Sequence, residues 1–328
     1  MESKESLSKL EIELNKLIET KSGRRAFLQS LPLLLTACAS KTQHRTREGD
    51  NSGQEAALNP DQERQLTKEA LPELRKEYPA YNNPEVQHYI SSLGNKLIAA
   101  NDLNGKPYHY NFTVVETKMV NAFALPAGTI FVTAPLIKMA KSEAELAGVV
   151  GHEIGHVKAR HTAERMAQAK KEQSKSLLFG AAGALLGGAA GFGLGKMLCS
   201  KQDRECLARA ALYGAGAGVA GGLLIQKFGF MANSREDEME ADRIGFRVAY
   251  KAGYDKDHVG LFYDRLLEME RDYKKSQNKM LASFTDAMST HPPSQERVNQ
   301  MRQMAAEVKN IGTTVSTKQF EKIQRLLS

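Results

Sequence analysis

Residues 151–161 read G-H-E-I-G-H-V-K-A-R-H, and this run constrains the fold more than any other stretch of the chain. The spacing H-E-x-x-H sets His152 and His156 one turn apart on one face of a helix, with Glu153 beside them. Two imidazoles so placed suit one Zn²⁺, with a carboxylate next to the open coordination position. The chain is thereby committed to a helix at this point and to a second element that brings a further ligand. Ser142 followed by Glu145 is a capping-box pattern that opens the helix, and Ala144, Leu146, Val149 and Val150 supply apolar positions behind it.

Two candidates for the further ligand lie in the sequence. His161 follows His156 by five residues, about 140° round a continuous helix, so it reads as a surface residue or a partner of a ligand rather than a ligand. Downstream, Ser234-Arg235-Glu236-Asp237-Glu238-Met239-Glu240-Ala241-Asp242 reads as a second helix. Glu238 would complete a His₂Glu site, and Asp242, one turn on, would accept a hydrogen bond from a ligand imidazole. The same run reads equally well as a solvated acidic face.

Four segments resemble one family. Asn121-Ala122-Phe123-Ala124-Leu125-Pro126 with Ala127-Gly128, the His152–His156 helix, Glu238–Asp242 as E-x-x-A-D, and Thr290-His291-Pro292 with Arg297 as H-P-x-x-x-x-R are similar to motifs of the HtpX-like and CAAX-protease-like zinc metallopeptidases, in particular the periplasmic BepA-like and LoiP-like branch. The resemblance covers roughly residues 59–305. It implies one Zn²⁺ per chain held by His152, His156 and Glu238, with Glu153 as general base and Asp242 as partner of a ligand or proton donor. It implies that His291 sits on a loop able to latch onto the metal or to stabilise an oxyanion, the role a tyrosine would otherwise fill. The strand-forming segment Thr129–Thr133 would be an edge strand to which protein or peptide substrates add, the alternative being a core strand. The expected activity is that of an envelope endopeptidase removing misfolded or stalled membrane and periplasmic proteins. A non-enzymatic or latent chaperone on the same fold is the alternative.

The beginning of the chain carries an address. Lys21-Ser22-Gly23-Arg24-Arg25-Ala26-Phe27-Leu28-Gln29 is similar to a twin-arginine signal, and Leu35-Thr36-Ala37-Cys38 resembles a lipobox. Residues 1–37 therefore read as a lipoprotein signal peptide, Cys38 as the lipidated residue and residues 38–60 as a flexible tether. The expected location is the bacterial cell envelope, lipid-anchored at the periplasmic face, with the outer membrane favoured by Ala39 and Ser40. The formal charge of +7 is mild, dispersed and without interleaved aromatics, so no nucleic-acid partner is expected.

Between the motifs, residues 177–198 contain Gly183, Gly187, Gly191 and Gly195, and residues 211–225 repeat the spacing with Gly214, Gly218 and Gly222. This reads as a glycine-zippered hairpin over 177–230, either soluble or leaning into the membrane, with a disulfide between Cys199 and Cys206 at its tip. Helical periodicity marks 61–77, 84–100, 254–278 and 293–308, and 108–116 alternates as a strand. The expected fold is α+β and mainly helical: a zincin (gluzincin) domain over 61–310 with one small β-sheet, followed by a tail over 311–328. Cys38→Ser should abolish incorporation of radiolabelled lipid, whereas unchanged labelling would remove the lipobox reading.

Overall fold

The computed structural model describes residues 48–51, 54, 56, 58–106, 108–167, 233–276 and 290–327. The expected signal peptide, Cys38, the glycine-rich hairpin and the Cys199–Cys206 pair lie outside the described residues.

Nine helices and three strands are distinguished here in chain order: α1 (Pro60–Glu77), α2 (Pro84–Ala99), β1 (Asn111–Val115), β2 (Ala122–Ala124), β3 (Thr129–Thr133), α3 (Ala134–Met139), α4 (Glu143–Lys158), α5 (Arg235–Lys251), α6 (Lys256–Val259), α7 (Leu261–Ser276), α8 (Gln295–Glu307) and α9 (Lys318–Leu326). Helix starts follow capping chemistry. Asn59 and Gln62 form a capping box at α1, with Pro60 at its first position, and Ser234 and Asp237 form another at α5. At α4 the Ser142 hydroxyl accepts the Glu145 N–H, but the Glu145 carboxylate accepts from Lys141, one residue earlier than a capping box requires.

The sheet order is β1-β3-β2, with β1 parallel and β2 antiparallel to β3. Thr129–Thr133 is therefore the central strand, which corrects its expected place at the edge. Both of its flanks are already paired, so no peptide can add to it. Its side chains explain the position: Ile130 and Val132 enter the main core, while Phe131 packs on the other face with Phe123, Leu74 and Ala70. A sheet covered on both faces carries an unbroken apolar run in its middle strand. Among the described residues the outer edge of β2 is unpaired, whereas β1 is met by Ala80 on its outer side. Leu125 donates to Thr129 and Thr133 to Asn121, so by alternation Ala122 and Ala124 turn their amide groups away from β3.

The domain extends past both expected limits. Residues 314–317 bind the start of α4: Thr317 N–H donates to Glu143, Ala144 N–H to Val315, and Tyr254 hydroxyl to Glu143. Phe320 and Ile323 of α9 are buried in the core, so residues 311–327 are part of the domain rather than a tail. At the other end, in the stretch expected to be tether, Asn51 donates to Lys158 O, and Gln54 donates to Ala159 O and Glu164. The expected helix over 254–278 is divided by Gly260 into α6 and α7.

Helices α4 and α5 approach each other backbone to backbone. A Cβ at Gly151 would stand 2.7 Å from Gly245 O, one at Gly155 2.8 Å from Ala241 O, and one at Gly245 2.6 Å from His152 N. The two backbones touch there because no side chain intervenes. Gly245→Ala should destabilise the domain by about 1–3 kcal/mol through overpacking. For a chain of this size the melting temperature falls roughly 2–4 °C per kcal/mol, and an unchanged melting curve would refute the tight crossing.

Candidate metal centre

The crossing of α4 and α5 brings ligand atoms from three segments together. His152 and His156 come from α4, Glu238 from the first turn of α5, and His291 from the loop before α8. Their donor atoms all lie within 4.8 Å of one another. His152 Nε2 is 2.9 Å from His156 Nε2, and each is 3.3 Å from a Glu238 oxygen. His291 Nδ1 is 3.2 Å from His152 Nε2 and 3.1 Å from Glu238 Oε1. Tetrahedral ligands about 2.0–2.1 Å from a small divalent cation stand roughly 3.3 Å apart, so these residues fit such an ion. The structure thus brings together the three residues that the resemblance implies as ligands and His291, and the acidic run of α5 is buried rather than solvated: Asp237, Glu238, Glu240 and Asp242 are all inside.

Charge is arranged around the cluster by Arg297, which is only 1% exposed. Its Nε and Nη2 each donate to Asp242 at 2.7 Å, and its Nη1 lies 2.7 Å from Glu238 Oε2. The guanidinium also stands over the Tyr263 ring, 4.9 Å from its centroid. Burial works against the charge of Glu238, but Arg297, His291 and His152 outweigh it and hold the carboxyl well below its ordinary range. Burial likewise opposes charge on Asp242, and Arg297 with His152 keeps its pKa lowered. His152 Nδ1 is 2.8 Å from Asp242 Oδ1. Asp242 thus stands between Arg297 and His152. Burial and the neighbouring His152 press His156 well below the usual imidazole range, toward the neutral form that ligates cations.

Glu153 lies beside the cluster, with Oε1 3.4 Å from His291 Nε2. Its Oε2 is buried with no hydrogen-bond partner among the described residues. Next to it is a small cavity lined by Ala122, Leu136, Val149, Phe262 and Tyr263, so the open β2 edge and Glu153 face one space. Tyr263 is the tyrosine at this site.

Two residues with roles here were not singled out from the sequence as part of the centre. Asn233 Nδ2 donates to Glu238 Oε1 at 2.5 Å and to Thr290 O at 3.3 Å. Its position just before the Ser234 cap was the only signal. Arg297 was visible as a motif residue, but its partners were not. Of the two readings of His161, the structure fits the partner of His156 rather than the surface residue. The helix ends at Lys158 and Arg160 has φ +54°, so the chain reverses and the angle reckoned for a continuous helix does not apply. His161 is buried behind His156, with Nδ1 to Nδ1 at 2.8 Å.

The sequence profile of peptidase family M48 matches residues 84–305. The beta-barrel assembly-enhancing protease of Escherichia coli is 29% identical over 252 residues, covering 77% of this chain and 47% of that protein. Its counterpart in Yersinia pestis is 29% identical over 254 residues, covering 77% and 46%. The mitochondrial metalloendopeptidase OMA1 of Schizosaccharomyces pombe is 26% identical over 253 residues, covering 75% and 62%. The chain spans about half the length of the two bacterial relatives.

Replacing Arg297 with Met leaves Glu238 and Asp242 buried without their cation, a loss of about 3–5 kcal/mol by analogy with other broken buried pairs. Because the Asp242 pKa is depressed in the fold, its stabilisation is complete above the unfolded value near ~4 and disappears as pH falls through the folded value. Urea unfolding of chelator-treated protein should show the wild-type advantage shrinking below about pH 4. A constant difference from pH 7 to pH 3 would contradict this assignment.

Proposed function

This chain belongs to peptidase family M48, and on that premise we propose that it is a zinc-dependent endopeptidase of the bacterial envelope, lipid-anchored through Cys38. The observation that carries the reading is the convergence of His152, His156 and Glu238 beside a Glu153 oxygen that has no hydrogen-bond partner among the described residues. A scaffold on the same fold would have no use for a buried carboxylate held ready in this way.

His152, His156 and Glu238 would hold the zinc. When bound, zinc polarises the scissile carbonyl and lowers the pKa of a water toward ~7. Glu153 takes the proton of the attacking water through its partnerless oxygen and passes it to the leaving amine. Asp242 holds the proton of His152 on Nδ1, which leaves Nε2 as the ligating atom. Arg297 balances the two buried carboxylates and, by donating to Pro292 O at 3.1 Å, also holds the loop that carries His291. An extended substrate pairs with the outward amides of Ala122 and Ala124, which places its backbone over the cavity beside Glu153. This recognition is backbone-led, consistent with unfolded membrane and periplasmic proteins as substrates. Among the described residues no helix is long and apolar enough to cross a membrane; in this reading attachment is through Cys38 and, as an alternative contact, the glycine-rich hairpin.

His291 is best read as a latch. Its Nδ1 occupies a fourth ligand position and its Nε2 faces Glu153, so in this placement it stands where substrate and water must enter. Release requires breaking the Arg297–Pro292 and Asn233–Thr290 hydrogen bonds. Swung aside, the same imidazole supplies a donor to the tetrahedral oxyanion.

Casein cleavage should be abolished by chelator and restored by Zn²⁺. His152→Ala and Glu238→Ala should lose the metal, whereas Glu153→Gln should retain it and lose roughly 10²–10⁴-fold in turnover. Full activity in Glu153→Gln, or stoichiometric zinc in Glu238→Ala, would overturn the site. X-ray absorption should show a fourth nitrogen or oxygen ligand that changes in His291→Ala, together with an altered basal rate; identical spectra and rates would remove the latch.

A further inference from the structure

The two ligand histidines are supported differently. His152 Nδ1 meets the Asp242 carboxylate directly. His156 Nδ1 meets another imidazole, that of His161, at 2.8 Å. His161 is 0% exposed, and its Nε2 lies 3.4 Å from Oε2 of Glu240, which is also 0% exposed. The other Glu240 oxygen accepts the backbone N–H of Gly49 at 2.8 Å. None of these groups takes part in the ligation or the water chemistry described above.

We propose that His161 and Glu240 are positioning residues that act on the metal centre through His156. The inference rests on the reading of His156 as a ligand. An imidazole that gives its Nε2 lone pair to a cation carries its proton on Nδ1. His156 Nδ1 is then a donor, so the facing Nδ1 of His161 must be the acceptor. His161 in turn carries its proton on Nε2, which faces the Glu240 carboxylate. One tautomer for each ring satisfies the whole row with no extra proton. Glu240 draws on the Nε2 proton of His161, which makes His161 Nδ1 a better acceptor and fixes the plane of His156. Groups behind a ligand histidine typically change metal affinity 10–100-fold.

The surroundings show why an imidazole stands between ligand and carboxylate. Arg160 takes a positive φ and returns the chain behind His156, so His161 fills the space between α4 and Glu240 of α5. The Gly49–Glu240 contact and the Asn51 and Gln54 bonds to the carbonyls of Lys158 and Ala159 close this side of the centre to water. Asp237 Oδ1, 3.9 Å from His161 Nε2, faces the row but stands beyond hydrogen-bond distance.

The test is Zn²⁺ affinity of the full chain, read by competition with a chromophoric chelator. His161→Phe keeps the ring volume and removes both nitrogens; it should bind Zn²⁺ about 10–100-fold more weakly. His161→Asn places a carbonyl oxygen near the Nδ1 position and should recover affinity to within about threefold of wild type. Glu240→Ala should also weaken binding and serves as the readout if His161→Phe does not fold. Wild-type affinity in His161→Phe or in Glu240→Ala overturns the proposal. Equal losses in His161→Phe and His161→Asn also overturn it, since they would mark a packing role alone. His156→Ala separates the two readings: unchanged Zn²⁺ affinity there would show that His156 is no ligand, whatever His161 does.

Discussion

The structure depends on one steric constraint, the backbone contact between α4 and α5. Gly151 and Gly155 face Ala241 and Gly245 with no side chain between them, so the two backbones lie in direct contact. Across that contact Glu238 reaches the imidazoles of His152 and His156, each 3.3 Å from one of its oxygens. Asp242, one turn further on, then meets the far nitrogen of His152 for the same reason. The spacing of the helices and the geometry of the ligands are a single fact.

Such a contact forces charge indoors. Glu153, Glu238, Glu240 and Asp242 are all buried within two helices. Unpaired, each would cost several kcal/mol. Arg297 resolves most of this: its forked donors match Asp242 bidentately while a third nitrogen reaches Glu238. Lysine has neither the planar fork nor the reach to do both. Because Arg297 also holds the carbonyl of Pro292, the electrostatic balance of the centre is tied to the loop that presents His291.

Sequence reasoning succeeded where the chemistry is local and missed where it depends on assembly. H-E-x-x-H, the capped start of α4 and the i, i+4 relation of Glu238 and Asp242 need only helical geometry. Thr129–Thr133 was legible as a strand from its β-branched and aromatic residues. Its central place was weighed only as the alternative, although Phe131 between Ile130 and Val132 is the pattern of a strand covered on both faces. The angle reckoned for His161 does not describe its path, because a positive φ at Arg160, a non-glycine residue, ends the helix without an announcing Gly or Pro, yet His161 does stand behind His156 and outside the cluster. Residues 311–327 seemed peripheral because a nine-residue helix buries few side chains of its own, and Phe320 finds its pocket only once α2 is in place.

What the sequence determined by itself is the set of chemical groups and their helical phase, because those follow from the identity and spacing of residues along one element. It determined the metal-binding character of α4, the acidic content of α5 and the apolar faces that bury both. The tertiary structure decided where each acid stands: Glu238, Asp242 and Glu240 differ by only a few positions on one helix. What separates them is which neighbour each meets across the α4–α5 contact: the histidine pair, Arg297 with His152, or His161. Those meetings bring together residues distant in sequence, and no spacing rule along a single chain encodes them.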